Sequence, residues 1–449
     1  MDVIIQFRIS EKHVITILAI SAAFKIRLAI DIDIATSFKP CAEFLSKVWV
    51  IKIVSYCTLL IILTISNKHR LMIGVNDISY SLLDVCMIDL PDAAEQGIRA
   101  VLPDCHVQKI SIADGGEGTV EALVETLQGQ IIEITACDPL MRHITVRYGL
   151  VDGGSTAVVE MSAASGLPLL AIEERNPWLT TTYGTGEMIA DAIKRGARRL
   201  LIGIGGSATN DAGMGMLEAL GYKFYDANGT PLAGCGGNLS CVARIDDTDA
   251  LPTLKQCQII VACDVKNPLY GPTGAAYVFA PQKGADTEMV EKLDQGLKNF
   301  ASVVNAHFGS NAEQREGAGA AGGLGYCFSA LLGARLQSGI DMVLEAIDFS
   351  KRIESSDLVI TGEGRIDSQT VMGKAPSGVL NAATEQGIPV VAIGGAVESS
   401  EALKQSKFTA ILPIVAGPVS LDEAMREEIA AANVSRTVEQ IIKLLTLNR

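Results

Sequence analysis

Residues 203–211 read Gly-Ile-Gly-Gly-Ser-Ala-Thr-Asn-Asp, directly after the apolar run Leu200-Leu201-Ile202 and directly before a helix-compatible stretch at 214–220. A glycine-rich turn between a buried strand and a helix start admits few folds, because it sets backbone N–H groups around one point where an anion is held. Ser207, Thr209 and Asn210 add side-chain donors beside Gly205 and Gly206. The segment is not the usual phosphate loop, since no Gly-Lys-Ser/Thr follows to place a lysine on terminal phosphates. Nor does it complete the dinucleotide fingerprint, whose third glycine and downstream acidic residue are out of register or missing. It reads as an anion loop or as a tight turn with helix-capping Ser and Asp.

Two further segments resemble it. Residues 113–119 (Ala-Asp-Gly-Gly-Glu-Gly-Thr) open a helical run at 120–127, and residues 361–367 (Thr-Gly-Glu-Gly-Arg-Ile-Asp) form a turn after the strand-like 357–360. Each sets glycines and carboxylates at a strand end, where open α/β sheets bind ligands. Gly373-Lys374-Ala375-Pro376 adds a cation. Acids on such turns suit a Mg²⁺ ion that keeps most of its waters and is held by one or two carboxylates plus phosphate oxygens.

From about residue 107 strands and helices alternate, which argues α/β architecture. Short strands at 131–135, 145–150 and 157–161 follow one another without helices and suggest an inserted sheet. Helices are expected at 93–102, 188–195, 326–332 and 376–385, with a final amphipathic helix at 421–445, and strands at 107–112, 200–204, 259–263, 390–393 and 410–415. The last third reads as a doubly wound pattern with parallel strands.

The 449 residues suffice for two domains, and a net charge of −14 argues against nucleic acid as a partner. Ten cysteines without a Cys-x-x-Cys pair read as thiols in a reducing, cytoplasmic setting, and five scattered histidines suggest neither a zinc site nor a Ser-His-Asp triad. Before Gly74 there is no glycine, isoleucine abounds and the balance is slightly basic. Residues 48–66 and 13–34 are apolar but interrupted by charges such as Lys52, Lys25, Arg27, Asp31 and Asp33, which weakens a membrane span. Residues 1–85 therefore read as a membrane-associating leader acting through 13–66, as an unusual soluble extension, or as residues outside the working enzyme.

Eight ordered motifs carry a resemblance: residues 113–119, 159–167 (Val-Glu-Met-Ser-Ala-Ala-Ser-Gly-Leu), 182–187 (Thr-Tyr-Gly-Thr-Gly-Glu), 203–211, 262–269, 281–285, 317–323 and 360–374. From about residue 91 to its end the chain resembles the bacterial-type glycerate kinase family. That resemblance implies ATP-dependent phosphorylation of D-glycerate by a flavodoxin-like, doubly wound parallel sheet domain with a second α/β domain inserted in it. The first domain would comprise 86–130 plus 295–449, and the insertion 131–294. Similar proteins begin with a strand entering an Ala-Pro-Asp-Ser-Phe-Lys type turn. Residues 34–39 echo that turn without its aspartate, and residues 75–77 lack its Ser-Phe-Lys.

Phosphoryl transfer needs an anion cradle, a metal holding phosphates, charge neutralisation and a group that positions the attacking hydroxyl. Gly205, Gly206, Ser207, Thr209 and Asn210 are expected to bind ATP phosphates or the glycerate carboxylate. Asp211, Asp264 and Arg365 are the catalytic candidates. Each has a plainer reading: a helix cap for Asp211, a turn aspartate for Asp264, and pairing with Glu363 and Asp367 for Arg365. Asn267, Lys283 and Lys374 are expected on phosphate or substrate, the lysines otherwise being ordinary solvated ones. Asp114, Glu117, Glu363 and Asp367 are the Mg²⁺ candidates. The rival classes are a catalytically impaired nucleotide-binding relative, a membrane-anchored interaction protein and, distantly, a nicotinamide oxidoreductase.

Overall fold

The computed structural model describes the backbone of residues 63–65 and 70–73 and all of residues 90–447. The chain divides into units Met1–Tyr56 and Cys57–Arg449, and everything described lies in the second. Apart from those two short strands, the readings made for 1–85, membrane association through 13–66 included, lie outside the described residues. Among the described residues no helix is long and apolar enough to cross a membrane.

In chain order the strands are β1 (Leu63–Ile65), β2 (Arg70–Ile73), β3 (His106–Lys109), β4 (Gln130–Cys137), β5 (His143–Val151), β6 (Thr156–Glu160), β7 (Arg199–Gly203), β8 (Lys223–Tyr225), β9 (Pro231–Leu232), β10 (Arg244–Asp246), β11 (Gln258–Ala262), β12 (Arg335–Gln337), β13 (Leu358–Ile366), β14 (Val390–Val397) and β15 (Ala410–Pro413). The largest sheet has the order β12-β11-β7-β6-β5-β4. Its β6, β7, β11 and β12 run parallel, while β4 and β5 add antiparallel at one edge. β6 is buried along its whole length and β7 and β11 along four of five positions. Helices cover both faces of such strands, so apolar runs replace alternation. A second sheet is ordered β1-β13-β14-β15, its last three strands parallel, and β2 pairs parallel with β3. β8, β9 and β10 form a small antiparallel sheet. The chain is thus a mixed α/β protein.

The expected return to the first domain at residue 295 falls inside one uninterrupted helix, Thr287–Phe308, and β12 still pairs with β11 of the largest sheet. The second sheet resumes only at β13. The final helix is split: Leu421–Ala424 and Glu427–Thr446 are separated where Arg426 turns extended.

One core cluster ties the two sheets together. Val158, Leu201 and Ile260 of the first pack with Ile112, Val359 of the second, and Ile340, Val343 and Val379 of the intervening helices. Burial of that size removes several hundred Å² of apolar surface from water and fixes how the strand ends face each other.

Candidate active site

The C-terminal ends of β7 and β11 carry three loops on one surface. Gly115 sits at φ +87°, and a Cβ there would lie 2.6 Å from both Ala262 Cβ and Gly339 Cα. A Cβ on Gly203 would lie 2.6 Å from the carbonyl oxygen of Gly115. Residues 113–119 therefore lie directly across the exits of β7 and β11 and against the helix Gly339–Ala346. At the same place Asp264 Oδ1 accepts the Gly339 N–H at 3.0 Å. The acidic glycine turn, the exit of the 203–211 loop and Asp264, distant in sequence, share one end of the sheet.

Within residues 203–211 only Gly205 and Gly206 are exposed, and Ser207 through Asp211 are buried. Gly206 takes φ +72°, a conformation that costs other residues strain. Among the described residues the N–H groups of Gly205, Gly206 and Ser207 donate to no protein acceptor, whereas Gly206 O accepts Leu167 N–H at 2.8 Å and the Ala208 N–H donates to Ser165 O at 2.9 Å. The loop is a fixed base with a bare backbone tip. Asn210, with both its side-chain polar atoms, and Thr209 Oγ1 are buried without a protein partner.

That base is braced from inside. Asp211 is fully buried, and its Oδ2 accepts from Thr182 N–H at 2.8 Å, Thr182 Oγ1 at 2.8 Å and Gly215 N–H at 3.1 Å. Its Oδ1 accepts from Gly213 N–H at 3.1 Å. Burial raises its pKa and these donors oppose the rise. Asp211 thus holds the entry of helix Met214–Ala219 and presents no oxygen to the cleft. Lys283 is likewise interior, 1 % exposed, with Nζ donating to Ser207 Oγ at 2.6 Å and Thr209 O at 2.7 Å.

The acidic side of the cleft is built differently. Residues 361–366, expected as a turn, continue strand β13, because Ala396 and Val397 of β14 keep Arg365 and Ile366 paired in parallel register. Tertiary pairing overrides the local turn signal of two glycines. Along β13 residues 358–363 are buried and Gly364 and Arg365 are exposed, so Glu363 is interior while Arg365, two positions on along the same face, lies where the strand leaves the core. Glu363 accepts a hydrogen bond from Thr370 Oγ1, and burial raises its pKa, with Lys374 lowering it and Asp367 and Asp114 raising it. Burial likewise raises Asp264, helped by Asp114 and Asp341. Asp114, Asp264, Glu363 and Lys374 therefore belong to one electrostatic neighbourhood.

The remaining candidates stand apart. Arg365 has a side chain 60 % exposed and paired with Glu398, with Asp367 Oδ2 at 3.8 Å. Asp367 accepts the Gln369 N–H at 2.8 Å in its own turn. Glu117 is raised by partial burial and by Glu121, and its charge adds to the rise at Glu160. Asn267 donates to Thr273 O at 2.8 Å. Glu160 was not singled out by pattern. It closes β6, accepts Val120 N–H at 2.9 Å and is pushed up to about 7 by burial. Its signals were a carboxylate ending the apolar run of β6 and a place in the motif at 159–167. Thr182 and Thr370, which position Asp211 and Glu363, lie in the motifs at 182–187 and 360–374, but nothing in their own pattern singles them out.

Among the described residues no three His, Cys, Asp or Glu side chains gather as a metal cage. Asp114 adds to the rise in proton affinity at both Glu363 and Asp264.

An α/β frame whose strand exits bring an acidic glycine turn, Asp264 and the start of a bare-tipped glycine loop together suits a phosphate-handling class of enzyme. Comparison places it more closely: the glycerate kinase family model matches residues 88–446, and the chain belongs to that family. The Bacillus subtilis glycerate kinase is 47 % identical over 361 residues, covering 80 % of this chain and 94 % of that protein. The Escherichia coli glycerate 2-kinase is 42 % identical over 360 residues, with the same shares covered. A crystal structure from Salmonella typhimurium LT2, provisionally assigned as glycerate kinase 2, aligns with a TM-score of 0.73 at 41 % identity, covering 79 % of this chain and 93 % of that one.

Proposed function

We propose that the chain transfers the terminal phosphoryl group of ATP to D-glycerate in a reducing, cytoplasmic setting; the seven described cysteines are all free thiols. The observation that carries this reading is the meeting of residues 113–119, Asp264 and the exit of the 203–211 loop over the ends of β7 and β11. Three loops on three faces would support no common chemistry.

The free N–H groups of Gly205, Gly206 and Ser207 cradle an anionic group, phosphate or carboxylate, with Thr209 and Asn210 behind them. Asp114 and Glu363 would hold a Mg²⁺ ion, which would supply charge neutralisation on the phosphates. Lys374 stands at the N-cap of the helix Ala375–Glu385 and adds a positive charge beside Glu363. Asp264, fixed through its Oδ1 by Gly339 and raised by its surroundings, accepts the hydroxyl proton of glycerate as that oxygen attacks. Asp211 and Arg365 act outside the reacting atoms, the first as a brace and the second as a surface pair.

The test is coupled-assay phosphorylation of D-glycerate by the purified chain with ATP and Mg²⁺. Asp264→Asn should lower kcat by about 10²-fold or more with little change in KM. A parent that binds ATP and leaves glycerate untouched removes the substrate assignment, and an Asp264→Asn enzyme with parental kcat removes the base.

A further inference from the structure

Lys283 reaches the 203–211 loop from a turn 76 residues away in sequence. Its own turn, Pro281–Lys283, is closed by Gly284 at φ +99°, where a Cβ would lie 2.0 Å from Arg175 O. The lysine is therefore anchored at both ends. Its Nζ contacts two points on the loop base, Ser207 Oγ and Thr209 O, which flank Ala208.

A buried cation is a costly way to fill space. Removing an ammonium from water costs several kcal/mol, and a methionine of similar length would fill the volume without that penalty. Asp211 is the charged group that faces it, yet the carboxylate spends its hydrogen bonds on Thr182, Gly213 and Gly215. No carboxylate clamps the ammonium directly among the described residues. What the amine secures is the path of Ser207-Ala208-Thr209, immediately behind the exposed Gly205-Gly206 tip. Burial pushes the Lys283 amine down to about 7, so it donates to the loop in both protonation states.

We infer that Lys283 is a positioning residue for the phosphoryl transfer, acting through Ser207 to aim the free N–H groups of the glycine tip at the bound anion. It touches neither substrate. The inference rests on the proposed role of that loop as the anion cradle.

The test compares Lys283→Met, Ser207→Ala and the double variant in the full chain. Each single variant should raise KM for ATP or D-glycerate by about tenfold or more while kcat changes by less than about threefold. The double variant should be no worse than the worse single one, because both remove the same link. Ser207→Ala loses one oxygen and keeps the fold if Lys283→Met does not. Parental KM values in Ser207→Ala, or additive losses in the double variant, overturn the inference. ATP- and glycerate-induced rises in Tm provide a readout independent of turnover. If the parent turns over no glycerate, the proposed activity falls, while loss of those shifts in both single variants still supports Lys283 and unchanged shifts overturn it. A parent stabilised by neither compound overturns both readings.

Discussion

The two sides of the cleft are held in opposite ways. The 203–211 loop sits on an interior base in which Asp211 accepts four hydrogen bonds and Lys283 donates two. Its exposed part is two glycines with unused N–H groups. The acidic side, by contrast, places Asp114, Asp264 and Glu363 where each raises another's proton affinity or is raised by it. One side is pre-organised by satisfied polar contacts, and the other holds like charges together that a cation would relieve. Fixed donors suit an anion and neighbouring carboxylates suit a cation, so the contrast matches the two tasks proposed for the loops.

Close backbone packing offers the largest effects by which to break this contrast. Gly322, at φ +66°, lies beneath the rigid loop, and a Cβ there would be 2.1 Å from Thr209 O. Gly339 lies beneath the acidic loop, and a Cβ there would be 1.7 Å from Asp114 O. Gly322→Ala combines overpacking with a disfavoured φ and should cost about 3 kcal/mol or more in urea unfolding. Gly339→Ala should move Asp114 and loosen Asp264, with a loss of about 10²-fold in kcat/KM, since misplacement near 1 Å costs that much. Were Gly322→Ala to unfold like the parent, the 203–211 base would not be the rigid element described here.

Glu160 sharpens the comparison by pH. Its folded pKa of about 7 lies above the ordinary 4.5, so the fold prefers the protonated acid. Its contribution to stability is present below about pH 4.5 and is lost as pH rises through 7. Glu160→Gln stays neutral and can still accept the Val120 N–H. It should therefore gain up to about 3 kcal/mol over the parent at pH 8, with the gain vanishing toward pH 4. Urea titrations at pH 4.5 and 8 measure it, and an equal difference at both values would place the cost of Glu160 elsewhere than in its charge.

Much of this was legible in the sequence for physical reasons that differ by element. β7, β11 and the helix Tyr183–Arg195 follow from apolar runs and from periodic burial at Met188, Ile189, Ala192 and Ile193. The 203–211 turn was visible because glycines and small polar residues leave no other local option. β13 was cut short because Gly362 and Gly364 read as turn residues, while the partner that extends the strand lies about thirty positions on. Lys283 could not be sorted by pattern, since an interior lysine and a solvated one look alike in sequence. For Asp211 the capping reading was visible, but the partner Thr182, 29 residues earlier, was not.

Arg365 gives the smallest effect and the cleanest division between the two kinds of site. On sequence it stood between two acids as a clamp for carboxylate or phosphate, but β13 leaves the core at Gly364 and Arg365, and the side chain lies in solvent against Glu398 and Asp367. Exposed pairs of this kind contribute about 1 kcal/mol or less, and salt screens them. Arg365→Ala should therefore change unfolding free energy by less than about 1 kcal/mol and leave kcat/KM within about threefold of the parent. A tenfold rise in KM for either substrate would mean that Arg365 swings inward when substrate binds. The acidic side would then carry its own anion clamp, and the division of labour between the two loops would have to be redrawn around it.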